Sequence, residues 1–231
     1  MRSIKAIFIK QTKDMLKNFS VLIMFIVFPL VAFAMTALTA GRIEGLSDSM
    51  FTTQMASIFI GMSLIMSSAG IIAEDRENKS LRFLVIAGVK PHSYLIGIGS
   101  VIFIASLITS IAFGFIGRFD QNEFLLFLVI MMSGAIASIM LGATIGMFSK
   151  NQQAATGISM PLAMVLGFGP MTAQFNEHAE KIFSVFYTQQ INVVVNNFSS
   201  GISKPLIIVW SNIAVLAVLF ALAYSKKGLR N

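Results

Sequence analysis

The chain alternates long apolar runs with short polar ones. Stretches of eighteen or more residues without a charge occur at about residues 20–40, 51–73, 94–117, 124–149, 154–176 and 206–225. Each is long enough to cross a membrane, because about 20 residues at roughly 1.5 Å rise span the hydrocarbon core. The pattern predicts an all-α integral membrane protein with six transmembrane helices in a single domain over residues 1–231. Ahead of the first run, residues 1–19 carry Ile4, Ile7, Phe8, Met15, Leu16 and Phe19 at helical spacing, with Lys10, Lys13 and Lys17 mostly on another side. That spacing predicts an amphipathic interfacial helix. Residues 174–204 are too apolar for a solvated loop and too rich in Gln and Asn to cross lipid. They are expected to form a re-entrant or interfacial segment.

Inside the runs, small residues mark packing faces. Gly134, Ser138, Gly142 and Gly146 recur four apart on the fourth run, and Ser106, Ser110 and Gly114 do so on the third. Such strips let another backbone approach closely. The fifth run is interrupted by Pro161, Gly167, Gly169 and Pro170. It is either a cavity-lining element, where covered backbone tolerates a break, or an ordinary kinked helix.

Composition agrees with a lipid environment: 56% of residues are hydrophobic, including 21 Phe and 15 Met. Mean hydropathy is +0.81. The loops then separate by charge. One set holds Arg2, Lys5, Lys10, Lys13, Lys17, Arg76, Lys79, Arg82, Lys90, Lys150, Lys226, Lys227 and Arg230; the other holds only Arg42, Arg118, Lys181 and Lys204. This bias predicts both termini cytoplasmic and accounts for the net charge of +7 without a nucleic-acid partner. The first run is about twice the length of a signal-peptide core and lacks an Ala-x-Ala site, so it reads as a span. Without cysteine there is no disulfide or thiolate chemistry. His92 and His178 fall on opposite sides of the membrane in this topology, so no metal pair is expected.

What the runs lack narrows the function. No Asp, Glu, Lys, Arg or His lies within any of the six, which argues against a carrier driven by protons or ions. No phosphate-binding Gly-x-x-x-x-Gly-Lys-Ser/Thr loop is present, and no nucleophile, base and orienting group gather on one face. The chain is therefore not read as an enzyme. Work would have to come from something docked on it.

A docking handle is visible at residues 74–91, the densest charged segment between two runs. Glu74, Asp75, Arg76 and Glu77 are followed by an apolar knot of Leu81, Phe83, Leu84, Val85 and Ile86, framed by Lys79, Arg82 and Lys90. Greasy side chains between charges suit a protein groove, although a solvated loop would also fit. The stretch "AEDRENKSLRFLVIAGVKPHSYLIG" resembles the segment between the second and third spans of permease subunits of type-2 ABC transporters, a bacterial exporter family. The resemblance rests on Glu77, Ser80-Leu81-Arg82, Leu84-Val85, Lys90 and Gly97. It extends along most of the chain through the amphipathic start, the six spans, the proline-broken fifth span, the apolar segment after it and the basic ending "SKKGLRN". Two departures stand out. Asn78-Lys79 replaces a basic residue and Gly, and Ala87-Gly88 replaces a small residue and Pro.

The resemblance implies that residues 74–91 form a coupling helix seated in a separate ATPase subunit, with Glu74, Arg76, Glu77, Ser80, Leu81, Arg82, Phe83, Leu84 and Lys90 as docking residues. It implies two ATPase subunits that bind ATP and Mg, no cofactor on this chain, a second permease copy or close relative, and a bacterial plasma-membrane location. The passage would form between the halves near spans one, two and five. Their uncharged Phe25, Phe28, Met62, Met66, Met160 and Met164 suggest an adaptable apolar lining for hydrophobic or amphipathic cargo such as a membrane-active peptide, drug or lipid. Rival readings are a secondary carrier or channel, an importer, and a non-transporting sensor or immunity scaffold.

Overall fold

The computed structural model describes residues 2–39 and 49–227. Ala40 at the end of the first predicted span, Arg42, and the closing residues 228–231 with Arg230 lie outside the described residues, as does Met1. The described chain is all helical, with no strand. Its elements are α1 (Arg2–Lys17), α2 (Phe19–Thr39), α3 (Met50–Glu77), α4 (Ser80–Ile86), α5 (Pro91–Ile116), α6 (Gln121–Phe148), α7 (Gln152–Ala173), α8 (Glu177–Phe183), α9 (Tyr187–Asn196) and α10 (Ser203–Lys227).

Six of these helices, α2, α3, α5, α6, α7 and α10, are long and apolar enough to cross a membrane. Helix is the form lipid demands, because each segment then satisfies its own backbone groups. Where the chain leaves a helix, side chains take over that work. Asp120 caps α6, accepting from the Glu123 amide at 2.8 Å while Glu123 reaches back to the Asp120 amide. Asn151 caps α7 and Asn176 caps α8 by accepting backbone amides of their first turns, without a return bond. Pro91 opens α5, where a missing amide costs nothing.

The bundle is organised around α3. In its most apolar window 78% of α3 is buried, against 17% for α2 and 22% for α10. It packs on α6 and α7 most extensively and also on α2, α5 and α9. Close contact with α6 runs along the small-residue strip. A Cβ at Gly142 would lie 2.3 Å from the Ile65 carbonyl oxygen, and one at Gly146 would lie 2.7 Å from that of Ala69. Ser138 adds a hydrogen bond to the Ile60 carbonyl at 2.7 Å.

Helix α7 runs unbroken through Pro161 and Pro170. Its Gly167 meets Gly61 of α3, where an added Cβ would be 2.7 Å from the Gly167 Cα. Glycine on this span therefore serves a helix crossing. The segment after α7 turns back through α8 into α9, which is inserted against α3, α6, α7 and α10. Tyr187, Thr188, Gln189, Gln190, Ile191, Asn192, Val194 and Val195 are buried there.

Candidate functional site at the charged end of the bundle

One end of the bundle gathers α1, α4, the start of α5, the end of α3 and the end of α10. Helix α3 does not stop at the charged cluster; it carries Glu74 to Glu77 in its last turn. Three of these consecutive residues reach different elements. Asp75, 6% exposed, accepts from the Lys10 ammonium of α1 at 2.5 Å and from the Tyr94 hydroxyl of α5 at 2.9 Å. Arg76, also buried, donates to the carbonyls of Met147 and Ser149 at 2.5 and 2.6 Å, where α6 ends and its last carbonyls need donors. Glu77 accepts from the Gln152 amide at 3.1 Å, at the start of α7. The cluster is thus a hub joining the ends of four helices.

Helix α1 is drawn into this hub. Its Ile7, Gln11 and Met15 are buried against the protein, while Leu16, and Phe19 at the start of α2, project outward. Ile7 presses on Gly97 of α5, where a Cβ would come within 2.7 Å of it. Half-burial alone would pull the Lys10 ammonium down, but the hydrogen bond and charge of Asp75, helped by Asp14 and Glu74, hold it above the usual lysine value.

Helix α4 hangs directly from α3. The connection passes through Asn78 and Lys79, and Lys79 takes a left-handed conformation at φ 59°. This is the position at which the resemblance places glycine. At the other end of α4, Gly88 has φ 78°, and the amides of Gly88 and Val89 bond to the carbonyls of Val85 and Leu84 at 3.0 Å. Those two bonds close a Schellman cap that fixes where α4 stops. Leu81 is 1% exposed and belongs to the core, with Leu84, Val85 and Val89 packed partly against it. Phe83 and Ile86 are 70% and 66% exposed. The apolar knot therefore divides into an anchoring side and an offered side, and Ser80 is half-buried while Arg82 and Lys90 flank the offered side in the open. The Tyr224 hydroxyl of α10 donates to the Val89 carbonyl at 2.9 Å and its ring lies 5.8 Å from Tyr94. A displacement of α4 would be felt by α3, α5 and α10 together.

Among the described residues, the six suggested for a passage occupy three separate settings. Phe25 is buried against Phe59, with centroids 5.6 Å apart, and Phe28 sits at the edge of the same aromatic group. Met62 and Met66 lie half-buried on the seam between α3 and α7. Met160 and Met164 face outward from α7. Lys10, Tyr94 and Tyr224 were not singled out from the sequence. Their partners lie far away in the chain, and only the amphipathic pattern of α1 hinted at Lys10.

A family model described as ABC-2 family transporter protein matches residues 43–225, well over half of the chain. No curated protein matches it.

Proposed function

The chain belongs to the ABC-2 family of transporter proteins and is a permease subunit of an ABC transporter; from that premise we propose that it serves an ATP-driven exporter of hydrophobic or amphipathic cargo. Family membership implies association with ABC ATPase subunits. In the proposed assembly two such subunits bind ATP and Mg beneath a pair of permeases, either two copies of this chain or this chain and a close relative. The complex resides in a bacterial plasma membrane, with both termini of this chain in the cytoplasm. Hydrolysis on the ATPases moves α4, and the hub converts that movement into tilting of the spans.

The observation that carries this reading is the two-sided character of α4. Leu81 locks the helix to the bundle, and the exposed Phe83 and Ile86 between Arg82 and Lys90 form an apolar tip with a charged rim. Such a tip suits a cleft in a partner protein. Glu74, Arg76 and Glu77 lie at the base of this lever, with Arg76 and Glu77 bonded to neighbouring helices. Their contribution to docking is proposed to be indirect, through the position they give α4. For the passage, Met62, Met66, Met160 and Met164 border the open side of the α3 and α7 pair, where a second permease half would meet them. Phe28 lies half-buried on α2, and Phe25 of the same helix supports it from the core.

The test pairs the permease with its ATPase. Phe83→Asp and Ile86→Asp should leave membrane insertion and thermal stability unchanged while weakening co-purification with the ATPase about a hundredfold, since each forces charge into an apolar cleft. ATP-dependent movement of a fluorescent amphipathic peptide into proteoliposomes holding both subunits should disappear in parallel. Retained complex formation by both variants would reject the docking site. Cargo movement by the permease alone under an ion gradient would reject ATP-driven export.

A further inference from the structure

The end of the bundle opposite α4 contains a second polar assembly that the exporter reading does not use. Three amide side chains and one hydroxyl form a directed chain there. Ser57 donates its hydroxyl to the Thr53 carbonyl at 3.0 Å, so it accepts from the Asn192 amide at 3.2 Å. Asn192 then accepts from Gln174 at 2.8 Å, and Gln174 accepts from Gln54 at 2.8 Å. The direction set at Ser57 propagates to the far end and leaves the Gln54 Oε1 as a free acceptor. That oxygen is buried and has no partner among the described residues, and the Oε1 of Gln189 is in the same condition. Gln54 and Gln189 are 6% and 4% exposed. Leaving two such acceptors unsatisfied is costly unless a donor reaches them.

Both residues belong to the wall of one cleft: Gln54, Gln174, Gln189 and Asn192 line a cavity of about 470 Å³ together with Glu180. Glu180 and Gln189 also form a wall of an adjoining groove of about 690 Å³, which continues over Val185, Pro205 and Ile208. The smaller cleft offers amide side chains and one negative charge, and the larger adds apolar surface at Val185, Pro205 and Ile208 beside polar groups that include Lys204. We propose that this is a binding site for a primary ammonium group carried on an apolar chain. The three N–H donors of the ammonium match the two free amide oxygens and the Glu180 carboxylate, and the chain lies in the groove beside α10. The cleft is far larger than a bare monovalent ion requires, which favours an organic ligand. A quaternary ammonium, lacking N–H, cannot satisfy the amide oxygens.

The site is tested on the full-length chain in nanodiscs of phosphatidylcholine, at neutral pH and without any ATPase, so its outcome is separate from that of the export reading. Isothermal titration with octylammonium should show binding about tenfold or more tighter than with octyltrimethylammonium, the margin of a charge-assisted hydrogen bond. Gln189→Leu should remove that preference. Glu180→Gln, an exposed position whose change does not threaten folding, should weaken octylammonium by about tenfold. Equal binding of the two amines, or unchanged selectivity in both variants, overturns the proposal. Adding phosphatidylethanolamine to the nanodisc distinguishes sources: competition with the probe identifies a lipid headgroup as occupant, and undiminished probe binding identifies a free amine, either of which upholds an ammonium site.

Discussion

At the scale of single residues, the hub works because its buried charges, Asp75 and Arg76, have the partners that burial makes necessary. Asp75 is the sharpest case, being buried beside Tyr94 and dependent on Lys10 for an opposite charge. Lys10→Met leaves that carboxylate with one neutral donor. The expected loss is about 1 kcal/mol, or roughly 2–4 °C in Tm, kept small because Lys10 is half exposed and water screens the pair. The pH dependence follows from the raised pKa of Lys10. A group whose folded pKa is raised stabilises fully below its unfolded value, about 10.4 for lysine, and loses that contribution as pH rises through the folded value. Thermal unfolding of the wild type and Lys10→Met should therefore differ by a constant gap through neutral and mildly alkaline pH, and the gap should close above the ordinary lysine range. A gap that closes near neutrality would show that Lys10 does not hold Asp75.

At the scale of elements, close approach of helices sets the cost of added volume. Gly142 and Gly157 make a matched pair, since both are helical glycines but only one faces a neighbour. A Cβ at Gly142 would sit 1.9 Å from the Ser68 Oγ and 2.3 Å from the Ile65 carbonyl, whereas nothing lies within 4 Å of one at Gly157. The serine can rotate away; the carbonyl is backbone and cannot. Gly142→Ala should destabilise by about 1–3 kcal/mol, and Gly157→Ala should stabilise by about 0.5–1 kcal/mol through lower unfolded-state entropy, both read by thermal unfolding in detergent. Opposite signs are the outcome that matters. The small-residue strip of α6 was readable in the sequence because its spacing follows directly from helix geometry. The six spans were readable because the length of an uncharged run is itself the requirement lipid imposes. The continuation of α3 through Glu74 to Glu77 was not readable, because charge after an apolar run signals a helix leaving the membrane. Only the distant partners Lys10, Met147, Ser149 and Gln152 reveal that Asp75, Arg76 and Glu77 bond to other helices. Asn192 and Gln174 likewise looked like residues unsuited to crossing, and their mutual bonding became visible only when α9 was seen folded against α3.

At the scale of the whole molecule, alternation of six spanning helices puts α4 and α8 at opposite ends, and proposed coupling and ammonium binding inherit that separation. The mechanism requires α4 to face the compartment that holds ATP, so sidedness is the condition on which the exporter reading stands. The chain contains no cysteine, which makes the question directly measurable with single introduced thiols. Arg82 on α4 and Glu177 on α8 are both exposed, so replacing either leaves the hub and the core intact. Arg82→Cys should react with a membrane-impermeant maleimide only after the cells are permeabilised, whereas Glu177→Cys should react in intact cells. The charge count supports this orientation, since basic residues cluster with α1, α4 and the end of α10. The reverse labelling pattern would place Phe83 and Ile86 where no ATPase can reach them. In that event α4 would be an outward-facing contact, and the hub beneath it would transmit a signal from outside the cell instead of work from within.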